Sequence, residues 1–212
     1  MTGTGTHVFW IASRAAGISA LVFASLAVCA GIALGGRLDF LRGRSAQLRT
    51  LHEALSLGAL AALAVHGLAL LGDSYLHPSL LDIAVPFATS YRPFWVALGI
   101  VGAYGLAALS LSYYARARIG VARWRKLHRF VAIFWLLGAI HTLGAGTDAG
   151  QVWFLVLYAS VVLPPLVLLA VRFGRTGFRI NPSARASVLV TTARPTCAVG
   201  QRRPEDIHGS RT

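Results

Sequence analysis

Five long uncharged stretches alternate along the chain with short polar or basic ones. They are Ala15–Gly35, Ala54–Gly72, Pro93–Ala115, Phe130–Thr147 and Ala149–Val171. Each is close to the ~20 apolar residues that carry a helix across a bilayer. A backbone in lipid must satisfy its own hydrogen bonds, so such stretches predict helices. The pattern therefore predicts an all-α integral membrane bundle of about five transmembrane helices, with spans at about 15–35, 51–72, 93–115, 127–147 and 149–171. The first stretch follows Met1–Trp10 without a basic leader and is longer than a signal peptide's apolar region, so it reads as a span. Residues 174–212 lack hydrophobic periodicity and are basic and rich in Pro, Ser and Thr. They read as a disordered tail following a membrane domain over 1–173.

Composition agrees, with 56% hydrophobic and 13% charged residues where a soluble domain carries roughly 25% charged. The formal net charge is +13, and its placement explains it. Arg37, Arg42, Arg44 and Arg49 lie between the first two stretches, and Arg116, Arg118, Arg123, Arg125, Lys126 and Arg129 between the third and fourth. Eight arginines follow Ala170, and only Arg14 and Arg92 fall on the other side. The positive-inside rule then puts the N-terminus outside and the C-terminus in the cytoplasm of a multi-pass cell-membrane protein. The charge serves topology and attraction to the lipid bilayer, not nucleic acid. Cys29 sits in a span and Cys197 in the tail, so no disulfide framework is expected.

The linkers add detail. Asp73–Arg92 reads as an ordered external loop with a short interfacial helix through Ser79–Val85. Gly144–Gly150 reads as a tight turn in which Asp148 caps the fifth helix. Pro164-Pro165 is expected to kink that helix. No phosphate- or dinucleotide-binding glycine loop is present, so electrons handled here must come from another protein.

Four of the seven histidines lie in two spans: His52 and His66, then His128 and His141. Ionisable residues within spans are functional candidates, although a lone one can serve as a helix–helix hydrogen-bonding residue. His52 and His66 are fourteen residues apart, about 21 Å along a helix, and His128 and His141 thirteen, about 19.5 Å. The second and fourth spans run in the same direction, so His52 matches His128 in depth and His66 matches His141. Two facing pairs are suited to grip an iron from either side of a planar macrocycle. Zinc wants three or four ligands at one point, and these pairs are four turns apart. One difficulty is azimuth. Fourteen residues return to within ~40° of the same helix face, but thirteen rotate it by ~140°. The fourth helix must be tightened or kinked, and Gly138 offers a site for that.

The segments Leu51-His-Glu-Ala-Leu-Ser-Leu57 with His66, and Trp124-Arg-Lys-Leu-His-Arg-Phe130 with His141, resemble the ferric reductase-like transmembrane domain. That is the haem-binding core of ferric reductases, NADPH oxidases and the membrane subunit of bacterial methionine sulfoxide reductase. The resemblance covers roughly Ile11 to Val171, with Arg14-Ala-Ala-Gly17 and Tyr91-Arg-Pro-Phe-Trp95 as weaker matches. It implies two haems b, an inner one on His52/His128 and an outer one on His66/His141, passing electrons across the membrane. No flavin/NAD(P)H domain follows the fifth span, so the resemblance implies an oxidoreductase component served in trans by a cytosolic flavin reductase or other electron donor. The acceptor is then ferric iron, oxygen or an extracytoplasmic redox partner.

Haem propionates call for cations, and Arg suits bidentate carboxylate contacts. Arg49, Arg125 and Arg129 are near the inner pair, and Arg14 and Arg92 near the outer. Plain topology signalling is the competing reading of the inner three. Phe134 and Trp135, midway between His128 and His141, read first as core packing. His7, His77 and His208 read as solvated surface. The function expected is electron transfer by a b-type cytochrome. Quinol oxidation and a non-catalytic membrane scaffold are the alternatives.

Overall fold

The computed structural model describes residues 4–36, 43–73 and 77–177. The basic tail, apart from the helix end at 174–177, lies outside the described residues. The chain divides into a unit over Met1–Arg172 and a second over Phe173–Thr212. Among the described residues there are eight helices and no strand: α1 (Thr4–Gly36), α2 (Ser45–Leu71), α3 (Leu80–Ala84), α4 (Pro93–Leu111), α5 (Arg116–Ile119), α6 (Val121–His128), α7 (Val131–Ala145) and α8 (Val152–Gly177). Among the described residues five stretches are long and apolar enough to cross a membrane: Val8–Gly36, Ser45–Leu71, Pro93–Leu111, Val121–Ala145 and Val152–Gly174.

Small residues bring the helices together. Without a hydrophobic drive between helices in lipid, close backbone approach and van der Waals contact hold the bundle. The core joins Ala24 and Val28 of α1, Ala59 of α2, Trp135 and Ala139 of α7 and Val162 of α8. On α4, a Cβ added at Gly102 would stand 3.0 Å from the Phe134 carbonyl oxygen and 3.2 Å from the Gly138 amide nitrogen. The α4 and α7 backbones are therefore nearly in contact, and one turn on, Gly105 is filled by the Phe134 ring. Trp135 is 1% exposed and donates its indole N–H to Ser25 Oγ on α1 at 2.9 Å. Phe134 and Trp135 are thus packing residues, and Trp135 ties α7 to α1 at mid-depth. From α8, the Tyr158 hydroxyl donates to the Ala139 carbonyl at 3.0 Å. That helix continues through Pro164 and Pro165.

The end of the third span and the course of the fourth differ from the sequence pattern for local reasons. The third span closes at Leu111, because the Tyr113, Tyr114 and Ala115 amides turn back to the carbonyls three residues before them. The fourth helix starts at Val121, ahead of its uncharged stretch, with Arg123, Arg125 and Lys126 exposed. The irregularity needed in that span is not at Gly138, which lies in unbroken helix, but at Arg129–Phe130 between α6 and α7. There Phe130 N–H reaches the Leu127 carbonyl at 3.0 Å and Ile133 N–H the Phe130 carbonyl at 2.9 Å. Each residue in such a tightened turn advances ~120° rather than ~100°.

The short helix expected in the 73–92 loop is α3. Its N-cap Ser79 accepts from the Asp82 amide, while Asp82 accepts from the Ser79 amide at 2.8 Å, a reciprocal capping box. The Ser79 hydroxyl, donating to Asp82 Oδ2 at 2.7 Å, and the Ser79 amide together hold the Asp82 carboxyl below its ordinary range. The Tyr104 hydroxyl pins the helix to α4 through the Ala84 carbonyl at 2.6 Å.

Candidate functional site

The helices pair as two halves, α1 with α2 and α4 with α6 and α7, and each half presents two imidazoles to the other. His52 faces His128 with ring centroids 6.1 Å apart and planes crossed at 86°. His66 faces His141 at 6.4 Å and 74°. The tightened turn at Arg129–Phe130 lies between His128 on α6 and His141 on α7 and offsets part of the rotation that their thirteen-residue spacing leaves. An imidazole–metal bond is ~2.0–2.1 Å, and a ring centre lies about 1.1 Å behind its nitrogen. Two imidazoles sharing one metal would therefore have centroids ~6.3 Å apart, which is the separation at both pairs. Among the described residues no three His, Cys, Asp or Glu side chains converge as a metal-binding group. The donor sets are pairs, as axial ligation of a macrocycle requires.

Each half also orients its own rings. His52 Nδ1–H donates to the Ala27 carbonyl of α1 at 2.8 Å. His66 Nδ1–H donates to the Ser13 carbonyl of α1 at 2.8 Å, and the Ser13 hydroxyl returns a bond to the His66 carbonyl at 3.2 Å. His141 Nδ1–H donates to the Trp95 carbonyl of α4 at 2.8 Å. Fixing the proton on Nδ1 leaves Nε2 as the free ligating nitrogen and raises its basicity.

A glycine lies one helical turn beyond each of those three carbonyls, and the ring sits against it. An added Cβ would meet the His66 ring at 3.1 Å from Gly17, the His52 ring at 3.2 Å from Gly31 and the His141 ring at 2.6 Å from Gly99. Sequence reasoning missed these glycines and carbonyls, although one signal was present. Gly17 and Gly31 are fourteen residues apart, as are Ser13 and Ala27, and as are His52 and His66 on the antiparallel neighbour.

The five arginines singled out in the sequence go to different places. Arg14 pairs with the Asp148 carboxylate and lies 4.0 Å over the Trp10 ring. The Asp148 side chain, expected to cap the fifth helix, thus ties α1 to the turn before α8. Arg92 caps α4 with a left-handed backbone (φ 43°) and donates to the Gly144 carbonyl at 2.6 Å, three residues beyond His141. Arg129 follows His128 directly and is exposed, as are Arg49 and Arg125.

The match to known families agrees with this geometry. The family described as ferric reductase like transmembrane component matches residues 16–139, more than half of the chain, and the chain belongs to that family. Three of the four histidines fall within the match, which stops two residues short of His141. No curated protein and no solved structure matches the chain. It is accordingly a multi-pass membrane electron-transfer component, from a family whose members generally bind haem and work with a redox partner.

Proposed function

We propose that this chain is a b-type cytochrome carrying electrons across the cell membrane through two bis-His haems, an inner one on His52/His128 and an outer one on His66/His141. The observation that supports it most is the doubled imidazole pair at metal-sharing separation, with three Nδ1 atoms committed to carbonyls. The asymmetry of the arginines puts the His52/His128 end at the cytoplasm, with the N-terminus outside. Haem supplies one-electron chemistry when bound, and the protein sets its depth, ligation and potential. The cations proposed for the propionates are Arg129 at the inner end, which is exposed, and Arg92 at the outer end, whose guanidinium also donates to the Gly144 carbonyl. Arg14, the second cation proposed at the outer end, is paired with Asp148.

The donor is a cytosolic flavin reductase acting in trans, and the acceptor is ferric iron, oxygen or an extracytoplasmic redox protein. Inside-out vesicles test this direction. The haems should be reduced by NADH with a soluble flavin reductase added at the exposed cytoplasmic face. Reduction by a quinol but not by the flavoprotein would replace this donor with the membrane pool.

The glycine seats give a sharper expectation. Gly99→Ala should push the His141 ring from its position and weaken haem binding at the outer site by ~10–100-fold, the usual range for a disturbed outer shell. Gly17→Ala and Gly31→Ala, with more room, should act more mildly. Haem retained per chain after gel filtration checks the ranking, and equal retention in all three contradicts it.

A further inference from the structure

A line of aromatic rings leads from the surface to the His52/His128 pair. Tyr114, in the turn that follows α4, is 58% exposed. Its ring is in edge contact with that of Tyr113, with centroids 5.3 Å apart. Tyr113 meets Trp124 of α6 at 5.8 Å. Trp124 is stacked on His128, four residues further along α6, at 4.9 Å and with planes 26° from parallel. Residues four apart share a helix face, so α6 aligns these two rings itself. The Trp124 indole N–H donates to Ser112 Oγ at 3.1 Å, which ties α6 to the end of α4. The outermost ring is fixed as well. The Tyr114 hydroxyl donates to Glu53 Oε1 at 2.8 Å, and Glu53 follows His52 on α2. Both members of the inner pair are therefore joined to the same two tyrosines, His128 through Trp124 and His52 through its neighbour in the chain. The charge on this segment is of one sign. α6 keeps Trp124 and His128 half-buried and leaves Arg123, Arg125 and Lys126 exposed, as is Arg118 of α5. Arg116 lies 3.9 Å over the Tyr113 ring.

We infer that Tyr114, Tyr113 and Trp124 form the electron entry port to the inner haem, and that the basic face of α5 and α6 docks the acidic surface of a reduced flavoprotein over Tyr114. The inference rests on the proposed function, in which the inner site holds haem and the donor is a flavoprotein. Opposite charge steers such a partner to the port and sets its register. Anionic lipid is also drawn to these cations, but a headgroup carries no electron, and a line of rings ending at His128 serves only a redox partner. Tunnelling weakens steeply across open gaps, so contiguous packed rings are the favoured route, and they conduct without being oxidised themselves. Each transfer takes one electron from the reduced flavin and converts ferric haem iron to ferrous. Two transfers return the flavin to its oxidised form, and its protons go to the cytoplasm.

The test uses the full chain in nanodiscs of neutral phosphatidylcholine, with an NADH-dependent flavin reductase of acidic surface as the donor. Stopped-flow absorbance reads haem reduction, surface-immobilised nanodiscs read flavoprotein binding, and dithionite with haem quantification reads haem content. Tyr114→Ala and Tyr113→Leu, which each break the line of rings, are expected to slow reduction by the flavoprotein several-fold with two haems per chain retained. Tyr114→Phe and Tyr113→Phe, which keep the rings, should match the wild type. Reversing Arg123, Arg125 and Lys126 together to Glu should slow flavoprotein association ~10–100-fold at low salt, and the gap should narrow as salt rises. An unchanged rate in either broken line, or haem lost from it, overturns the port. Association untouched by the charge reversal overturns the docking face and leaves those cations to the lipid. A wild-type chain without haem, or one reduced by a quinol and not by the flavoprotein, contradicts the proposed function itself. A wild type that the flavoprotein reduces no faster than Tyr114→Ala contradicts the port alone.

Discussion

His66→Ala is expected to leave one haem per chain where the wild type holds two, and to stop electron transfer across the membrane while the protein remains folded. His66 is the α2 member of the outer pair, and its Nε2 has no substitute, because the nearest ring is its own partner His141. Alanine at this position also releases the Ser13 carbonyl, but the Ser13 hydroxyl keeps its bond to the backbone carbonyl of residue 66, so the α1–α2 contact survives. The inner pair, about 21 Å away along α2, retains both ligands. Electrons admitted at the inner haem then have no carrier over the outer half of the bilayer. Haem per chain and the reduction of an external ferric chelate by vesicles loaded with reductant measure the two consequences. Two haems retained in this variant would remove His66 from the ligand set.

Trp135→Ala is expected to give the largest loss of stability. Its side chain is 1% exposed and fills the middle of the bundle between the two histidine layers. Truncating a buried Trp typically costs ~3–5 kcal/mol. In lipid the transfer part of that cost shrinks, because the surroundings are also apolar, whereas the lost contacts remain. Ser25, also 1% exposed, would lose its donor in the same step. Trp135→Phe keeps most of the packing and removes only the N–H bond, worth about 1 kcal/mol or less in a membrane interior. Thermal unfolding in detergent should therefore rank wild type above Trp135→Phe, and that well above Trp135→Ala. Equal midpoints for the two variants would mean that the indole bond, not the packing, holds α7 to α1.

Much of this arrangement is legible in the chain itself, for a definite reason. Spans are written in local hydrophobicity, and the depth of His52, His66, His128 and His141 follows from helical rise alone. The capping box at Ser79–Asp82 is likewise a matter of three residues. What is not legible depends on partners distant in sequence. The seats of Gly17 and Gly31 acquire meaning only when α1 lies antiparallel to α2, and that of Gly99 only against α7. The thirteen-residue spacing correctly demanded an irregular fourth span, but glycine was the wrong place to seek it. The break falls at Arg129–Phe130, where tightened backbone bonds, not a missing side chain, turn the helix. Arg14 illustrates the same limit, since the pairing with Asp148 joins residues 134 apart and no local signal marks it.

On the proposed function, each of the two facing histidine pairs holds a haem. The most direct measurement is the reduced-minus-oxidised absorption spectrum of the purified wild-type chain from haem-replete cells, with haem quantified per polypeptide. Two haems with a bis-His b-type spectrum are predicted, falling to one in His128→Ala. A colourless protein, or a haem content untouched by that substitution, would contradict the account.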